Sequence, residues 1–385
     1  MSRGLPALFA TRSGKDLGKK VATELSHLMR NRLHTITDAR STAKLVEERE
    51  RIEQIREMNR EFFGDEWGEF RLRHLSVENF SDGEIHVTVP NYRLIEGGPE
   101  VSNSVRGQDV FLIHSPYEPQ LSVDELLDGL PKKMDHVRVA DILQKVRGER
   151  SPPENLVEGF IVAYTLGRWA EKITLVQPNH PYARQDHSRD REAAIAKLIA
   201  KIHETSRVEH GIFVDLHSNQ ISEFYDNNAD NLRSSGMILD AICGVIGYTE
   251  ERKDEYVVVS PDAGGTSTAR YHAKKLGTEV GIGDKRRDYS QHNTVEKTVI
   301  IGDVEDKIAI IIDDMIDTAG TMCSIVEECI SRGAREVYLA CTHPIMSGPA
   351  IERLDKLYKE GKLKQVLVTN SISRGPSFSN DHPWY

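Results

Sequence analysis

The strongest constraint on the fold is a series of short apolar runs, each closed by a polar cluster. The run 308–312, for example, is IAIII and is followed directly by Asp313 and Asp314. Runs that stay apolar without alternating are typical of strands buried on both faces, as in parallel sheets. The sequence predicts such strands at residues 110–114, 173–177, 211–217, 256–262, 308–314, 337–343 and 365–370.

Segments with helical periodicity lie between these predicted strands. Examples are 155–170, 191–203, 268–276 and 321–333, the last of which ends at Gly333, a residue type that often follows a helix. Alternation of strand and helix along the whole chain predicts an α/β architecture. The 385 residues exceed one ordinary domain, so we expect two similar α/β domains, 1–228 and 229–385, joined near the polar stretch 226–230.

Composition narrows the function classes. The formal net charge of -10 argues against a general nucleic-acid-binding surface. No apolar stretch is long enough to cross a bilayer, and the N-terminal apolar stretch is too short for a signal peptide. The four cysteines form no CxxC pair, so neither a disulfide framework nor a zinc site is expected. We therefore expect a cytoplasmic protein that binds neither nucleic acid nor membrane.

The turn after the run 308–312 combines two chemistries. Asp313 and Asp314 suit sugar hydroxyls, because a carboxylate accepts two hydrogen bonds from a vicinal diol. Residues 317–321, DTAGT, are small and rich in hydroxyls, and they precede a predicted helix whose first backbone N–H groups suit a phosphate. The alternative is an ordinary strand-to-helix turn with an aspartate cap. The adjacent acid pair favours a sugar-phosphate site over that alternative.

The stretch 307–322, KIAIIIDDMIDTAGTM, closely resembles the phosphoribosyl-diphosphate (PRPP) binding loop of type I phosphoribosyltransferases and ribose-phosphate diphosphokinase (PRPP synthetase). The resemblance implies that Asp313 and Asp314 hold the ribose hydroxyls. It also implies that the 5-phosphate is held by Asp317, Thr318, Ala319, Gly320 and Thr321. Ala319 stands where a second glycine is usual, and its methyl group can crowd the phosphate if the backbone there needs a positive φ.

Further stretches resemble motifs of the PRPP synthetase family, in that family's order. They are FSDGE at 80–84, YARQD at 182–186, DLHSNQISEFYD at 215–226, VSPDAGG at 259–265 and DKRR at 284–287. The set is far more specific than any single motif. It implies two domains of the type I phosphoribosyltransferase fold. It also implies a ribose-phosphate diphosphokinase, which transfers the diphosphoryl group of ATP to the 1-hydroxyl of ribose 5-phosphate for nucleotide biosynthesis.

The same resemblance implies a role for each motif, with Mg²⁺ as the cofactor. The transition-state stabilisers would be Lys285 and Arg287, in the polar stretch 281–293 that we expect to be a mobile loop. The ATP-binding residues would be Phe80, Asp82, Glu84, Arg184, Gln185 and Asp186. The metal ligands would be His217 and Asp262, with Asp215 either orienting His217 or binding through water. In the family the FSDGE loop crosses a subunit contact, so we expect a homo-oligomer, dimer-based and possibly hexameric.

Several stretches depart from the family pattern. Residues 42–65 and 117–153 look like insertions, the first with the spacing of a solvated surface helix. His187 follows YARQD where a basic residue is common. After FSNDHPWY at 378–385 the family normally continues into a final helix, so the C-terminus is expected to be short.

Two other functions remain open. A catalytically quiet regulatory subunit of a synthetase complex should have lost DKRR or the acid pair, and both are present. A phosphoribosyltransferase that consumes PRPP would carry a base-binding hood and would not depend on ATP. Such an enzyme has no reason to carry FSDGE and YARQD, so the catalytic synthetase is favoured.

Overall fold

The structure is a computed structural model, and it describes residues 7–38, 73, 75–89, 92–93, 101–102, 105–117, 151–287, 296–374 and 378–385. The first predicted insertion, 42–65, lies outside the described residues, as does 118–150 of the second. Among the described residues the chain divides into two compact units between Asn231 and Leu232. Within these ranges, no helix has the length and hydropathy that crossing a membrane requires.

The first unit is built on a mainly parallel sheet. Its elements are β1 (Ala7–Ala10), α1 (Lys15–Asp38), β2 (Ser76–Asn79), β3 (Ile85–Thr88), β4 (Tyr92–Arg93), β5 (Val101–Ser102), β6 (Asp109–Ile113), α2 (Pro152–Leu166), β7 (Lys172–Val176), α3 (Ile195–Thr205), β8 (His210–Val214), a 3₁₀ helix (Asn219–Phe224) and β9 (Asn228–Leu232). The strand order is β1-β6-β7-β8-β9, with β1, β6, β7 and β8 parallel. β2 and β3 form a separate antiparallel hairpin, as do β4 and β5.

The core of the first unit follows from the apolar runs. Leu112 and Leu175 are buried because their strands are covered by helices such as α2. The start of helix α2 is set by residues that are adjacent to it in the sequence. Glu154 Oε2 accepts hydrogen bonds from the backbone N–H and the hydroxyl of Ser151, and Pro152 occupies the first turn.

The second unit repeats this architecture. Its elements are α4 (Ser235–Ile246), a 3₁₀ helix (Glu250–Glu255), β10 (Tyr256–Ser260), α5 (Thr266–Leu276), β11 (Glu279–Arg287), β12 (Glu296–Ile301), β13 (Ile308–Ile316), α6 (Gly320–Ser331), β14 (Glu336–Pro344), α7 (Ala350–Lys359), β15 (Gln365–Val368) and α8 (Phe378–Asp381). The strand order is β12-β11-β10-β13-β14-β15, and each neighbouring pair is parallel except β11 and β12. The mainly parallel sheets confirm the predicted fold class.

The edge of the second sheet is closed by the last residues of the chain. Trp384 is fully buried, and its backbone carbonyl accepts a hydrogen bond of 2.6 Å from Val366 N–H on β15. Its indole N–H donates to Asp355 Oδ1 at 2.6 Å, which satisfies the one polar atom of the ring. Phe378 and Trp384 therefore belong to the core of this unit, and Tyr385 packs against it.

One prediction of local structure was wrong. Residues 281–287, predicted as part of a mobile loop, form the end of β11, because β12 supplies antiparallel backbone partners from Ile282 to Arg287. Gly283 suits that strand, since a Cβ there would lie 2.4 Å from Ile325 Cδ1 and 2.5 Å from Pro261 O. The polar stretch 226–230, near which the two domains were expected to join, contains the start of β9, which adds to the edge of the first sheet.

Candidate active site

Three carboxylates meet at the carboxyl edge of the second sheet. β10 and β13 are adjacent and parallel, so Asp262, just after β10, and Asp313, near the end of β13, lie at the same edge. Asp313 Oδ1 accepts a hydrogen bond of 3.0 Å from Asp314 N–H. Burial, followed by the charge of Asp314 and then that of Asp262, raises the pKa of Asp313 to about 8. Burial and the neighbouring carboxylates thus both disfavour the charged form of Asp313.

Asp262 is held by its own turn. Its Oδ1 accepts a hydrogen bond from Gly265 N–H at 3.1 Å, and its carbonyl accepts one from Ser260 Oγ at 2.6 Å. Gly265 also allows the turn to come close to the acid pair, because a Cβ there would lie 2.9 Å from Ser260 Oγ and 3.4 Å from Asp313 Oδ1. The carboxylate of Asp262 is therefore fixed while the residue stays exposed.

The turn 317–321 joins β13 directly to helix α6. Ala319 precedes the helix with φ 59° and ψ 7°, so its backbone is left-handed. The backbone at Ala319 therefore has the positive φ at which its methyl group can crowd the phosphate. The residue is 4% exposed and packs in the apolar core of the unit, with Met322 and Met346 among the members of that core. Cys323 N–H donates to the Ala319 carbonyl at 2.9 Å, which starts the helix.

Two residues beyond β14 hold this turn, and the sequence motifs did not reveal them. Arg353 Nη1 on α7 donates to the Thr318 carbonyl at 2.7 Å, and Ser347 Oγ donates to Asp317 Oδ1. An open cavity of about 520 Å³ lies here, lined in part by Thr298, Thr318, Gly320, Thr321, Arg353 and Lys356. The available signal was topological, since the turn after β14 reaches the same edge of the sheet as the turn after β13.

The hairpin β2–β3 carries FSDGE at its tip, in the first unit. The turn is closed by Phe80 N–H to the Glu84 carbonyl at 2.8 Å and Gly83 N–H to the Phe80 carbonyl at 2.9 Å. Gly83 has φ 93°, which favours glycine. Asp82 Oδ1 accepts from Glu84 N–H at 3.0 Å. Phe80 is 53% exposed, and its ring lies tilted beside that of His86 with the centroids 5.0 Å apart.

YARQD and DLHSNQ lie together in the first unit. Asp186 and His187 are joined by a contact of 2.5 Å between Oδ1 and Nδ1. Burial, which raises the pKa of Asp186, is outweighed by hydrogen bonds from His187 and Ser218, so this pKa is lowered. Arg184 and His217 are exposed. The backbone is left-handed at Tyr182, with φ 57°, as it is at Asp215, with φ 40°.

A buried polar cluster underlies YARQD, and it was not predicted. Tyr225 Oη lies 3.1 Å from His180 Nε2 and 2.9 Å from His203 Nδ1, while His180 Nδ1 lies 2.7 Å from the Pro181 carbonyl. The carbonyl can only accept, so His180 carries its proton on Nδ1. It follows that Tyr225 donates to His180, and His203 donates to Tyr225.

Comparison with known proteins covers both units. The family model described as the N-terminal domain of ribose phosphate pyrophosphokinase matches residues 7–206, and the phosphoribosyl transferase domain matches 234–372. Ribose-phosphate pyrophosphokinase 1 of Streptococcus pneumoniae is 36% identical over 302 residues, 77% of each chain. The chain belongs to the ribose-phosphate pyrophosphokinase family. The corresponding enzyme of Fusobacterium nucleatum is likewise 36% identical over 308 residues, 79% of each chain.

A solved structure supports the same family. Phosphoribosylpyrophosphate synthetase from Mycobacterium smegmatis is similar over 96% of this chain and 90% of its own, at 26% identity and a TM-score of 0.66. Membership in the ribose-phosphate pyrophosphokinase family confirms the resemblance drawn from the motifs. It also confirms the enzyme class, ribose-phosphate diphosphokinase.

The structure places the predicted residues in two groups. The first unit carries Phe80, Asp82, Glu84, Arg184, Gln185, Asp186 and His217, and the second carries Asp262, Lys285, Arg287, Asp313, Asp314, Asp317, Thr318, Ala319, Gly320 and Thr321. Lys285 and Arg287 lie on β11, and their side chains are outside the described part of the structure. Among the described residues, no group of three histidine, cysteine or acidic side chains is arranged to hold a metal ion.

Proposed function

We propose that this chain is a catalytically active member of the family, which transfers the β,γ-diphosphoryl group of ATP to the 1-hydroxyl of ribose 5-phosphate and releases AMP. The observation that carries the proposal is the continuous passage from the acid pair on β13 through the left-handed turn to helix α6. Acceptors for sugar hydroxyls and backbone donors for a phosphate lie on one rigid segment. The two ends of a sugar phosphate require that arrangement.

Asp313 and Asp314 would accept hydrogen bonds from the ribose hydroxyls. The pKa of Asp313 is raised by burial and by the charge of Asp314, so hydroxyl donors from the ribose would favour the charged form of this carboxylate. The phosphate would lie against the backbone N–H groups of 318–321, with Thr318 and Thr321 adding hydroxyls. Arg353 and Ser347 would keep that turn fixed through their contacts with Thr318 and Asp317.

We assign the ATP side to the first unit. The exposed ring of Phe80 would stack on adenine, with Asp82 and Glu84 as acceptors for its amino group. Arg184 and Gln185 would donate to the phosphates, and Asp186 is held beside them by His187 and Ser218. The ion pair between Asp186 and His187 assigns His187 to supporting Asp186.

Mg²⁺ fits the residues present, with Asp262 and His217 as its proposed protein ligands. The exposed carboxylate of Asp262, fixed by Gly265 N–H and close to the negative charge of the acid pair, is an environment that favours a hard cation. One or two protein ligands suffice, because Mg²⁺ usually completes its shell with substrate phosphates and water. When bound, the ion neutralises part of the phosphate charge.

The chemical step would depend on position and charge. The fixed ribose site would aim the 1-hydroxyl in line with the β-phosphorus. Lys285 and Arg287 would stabilise the charge that develops as AMP leaves. Their strand, β11, is held by β12 up to Arg287, and the rest of the predicted loop, 288–293, lies outside the described residues.

We also propose a cytoplasmic homo-oligomer, dimer-based and possibly hexameric. The exposed ring of Phe80 supports the homo-oligomer, because by the family resemblance this hairpin tip reaches the nucleotide of a neighbouring chain. The four cysteines, all of them free thiols, are compatible with a reducing compartment.

The decisive assay mixes purified protein with Mg²⁺, ATP and ribose 5-phosphate and follows AMP and PRPP. Equal formation of both products supports the synthetase. Binding of both substrates with no product, with or without added phosphate, would instead indicate the quiet subunit. Consumption of PRPP with a nucleobase and without ATP would indicate a transferase.

The role of β11 has its own test. Lys285→Ala and Arg287→Ala should each lower kcat by about 10²–10³-fold with a much smaller change in KM, because their contacts strengthen only in the transition state. The matched control is Lys274→Ala, an exposed lysine on α5 in the same unit. A change confined to KM in the two β11 variants would contradict this assignment.

A further inference from the structure

A buried carboxylate fixes the segment that follows β1. Glu158 on α2 has a side chain that is only 1% exposed. It accepts hydrogen bonds from Arg12 N–H at 2.9 Å and Arg12 Nε–H at 2.7 Å, and Arg12 Nη2 lies 2.7 Å from its Oε2. The guanidinium is thereby fixed in one orientation, because two of its nitrogens and the backbone N–H of the same residue all contact one buried carboxylate.

The outer edge of that guanidinium faces the FSDGE hairpin. Arg12 Nη1 and Nη2 each lie 3.3 Å from Asn79 Oδ1. The amide nitrogen of Asn79 in turn donates to the Gly83 carbonyl at 3.0 Å. One path of hydrogen bonds therefore runs from the buried Glu158, through Arg12 and Asn79, to the turn 80–84.

The other described contacts of the turn, its backbone hydrogen bonds and the ring contact of Phe80 with His86, lie within the hairpin itself. The apolar contacts of the hairpin with the core come from its strands, through Leu75, Val77, Val87 and Val89. Residues 78–84 are all exposed. The path thus reaches the hairpin at the point where apolar packing ends.

We propose that Arg12 and Asn79 are positioning residues for ATP, which hold the turn 80–84 so that Phe80, Asp82 and Glu84 meet the nucleobase. This rests on the proposed function, in which that turn reads adenine. Glu158 acts by fixing Arg12. None of the three touches the substrate in this scheme, and the effect on ATP passes through the turn.

The first experiment compares Asn79→Ala with Ser76→Ala. Ser76 Oγ donates to Glu78 Oε1 at 2.9 Å, so the control removes a hydrogen bond from the same hairpin without touching the path. Asn79→Ala should raise the apparent KM for ATP about tenfold, the equivalent of one hydrogen bond to a charged group. The KM for ribose 5-phosphate should stay within about twofold, and Ser76→Ala should leave both unchanged.

A second comparison tests the path itself. Arg12→Ala alone leaves a buried charge unpaired and risks unfolding, so it is combined with Glu158→Gln. In that double variant, adding Asn79→Ala should cause no further rise in the KM for ATP, because the path is already broken. A full additional tenfold rise would overturn the shared path.

Hydrogen exchange gives a readout independent of catalysis. Exchange of the Phe80 and Gly83 amides, which close the turn, should rise in Asn79→Ala and not in Ser76→Ala, while β13 and α6 stay protected. If exchange rises but the affinity for Mg·ATP, measured by calorimetry, does not change, the positioning role is wrong.

If the unmodified chain forms no PRPP yet binds Mg·ATP, the proposed catalysis fails and the calorimetric comparison still decides the role of Asn79. If it binds no ATP, both proposals fail.

Discussion

Ala319 shows how a single methyl group is accommodated in the phosphate turn. A left-handed backbone costs an alanine about 1 kcal/mol relative to glycine, whereas its buried methyl contributes about 0.8 kcal/mol. Ala319→Gly should therefore change the free energy of unfolding by less than about 1 kcal/mol. Ala319→Val should destabilise by more than about 2 kcal/mol and weaken ribose 5-phosphate binding, because a branched side chain resists positive φ. Denaturant unfolding checks both, and an unchanged Val variant would contradict the account.

The carboxylate of Asp313 is expected to lower the stability of the folded chain in its charged form, although it is proposed to bind the ribose. Its pKa is about 8 in the folded chain and about 4 unfolded, so between these pH values the folded state binds more protons. The free energy of unfolding should therefore fall as pH rises through this window. Asp313→Asn keeps an oxygen for Asp314 N–H and should be more stable than the unmodified chain at about pH 8, by more than about 1 kcal/mol.

The same substitution should abolish measurable ribose 5-phosphate binding. Both effects are to be measured without Mg²⁺, by denaturant unfolding at about pH 5 and pH 8 and by calorimetry at the higher value. The difference in stability between the variants should shrink at the lower pH, because Asp313 is then protonated in the folded chain. A variant that is less stable at both pH values would contradict burial as the main cause of the raised pKa.

At the scale of elements, the cluster under YARQD makes the first unit sensitive to acid. Burial lowers the pKa of His180 to about 4 and also lowers that of His203. Unfolded histidine titrates near 6.5, so stability is fully present above about pH 6.5 and is lost as pH falls towards 4. His180→Phe should reduce this pH dependence by up to about 1.4 kcal/mol per pH unit.

The control is Tyr225→Phe, which keeps both histidines. It leaves His180 Nε2 and His203 Nδ1 without their shared hydroxyl and should lower stability at neutral pH by about 1–3 kcal/mol. Its pH dependence should match that of the unmodified chain. Equilibrium unfolding between about pH 5 and pH 8 separates the two variants, and equal slopes for His180→Phe and the unmodified chain would refute the assignment.

Elements whose burial follows from their own composition were predictable from the sequence. Elements and contacts that depend on residues far away in the sequence were not. β10 and β13 are buried on both faces, so their own composition predicts them, and α6 ends before Gly333, which has φ 85° as expected. β11 was missed because its outer half, DKRR, is polar and is a strand only through pairing with β12. Arg353 was missed because its guanidinium reaches the Thr318 carbonyl across 35 positions of sequence, and no local pattern signals such a contact.

At the scale of the whole molecule, the proposed function assigns roles to residues of both units and, through the hairpin, to two chains. Phe80→Ala and Lys285→Ala should then each be inactive or nearly so in isolation. After mixing and reassembly, the two variants should recover about a quarter of the unmodified activity. A shared site is intact only when its hairpin comes from the Lys285→Ala chain and its β11 comes from the Phe80→Ala chain, which is one of the four possible combinations. A mixture of Lys285→Ala with Arg287→Ala should recover nothing, since both defects lie on β11 of one chain. If the first mixture stays as inactive as the second, the hairpin serves its own chain, and the argument that links nucleotide binding to an oligomer falls.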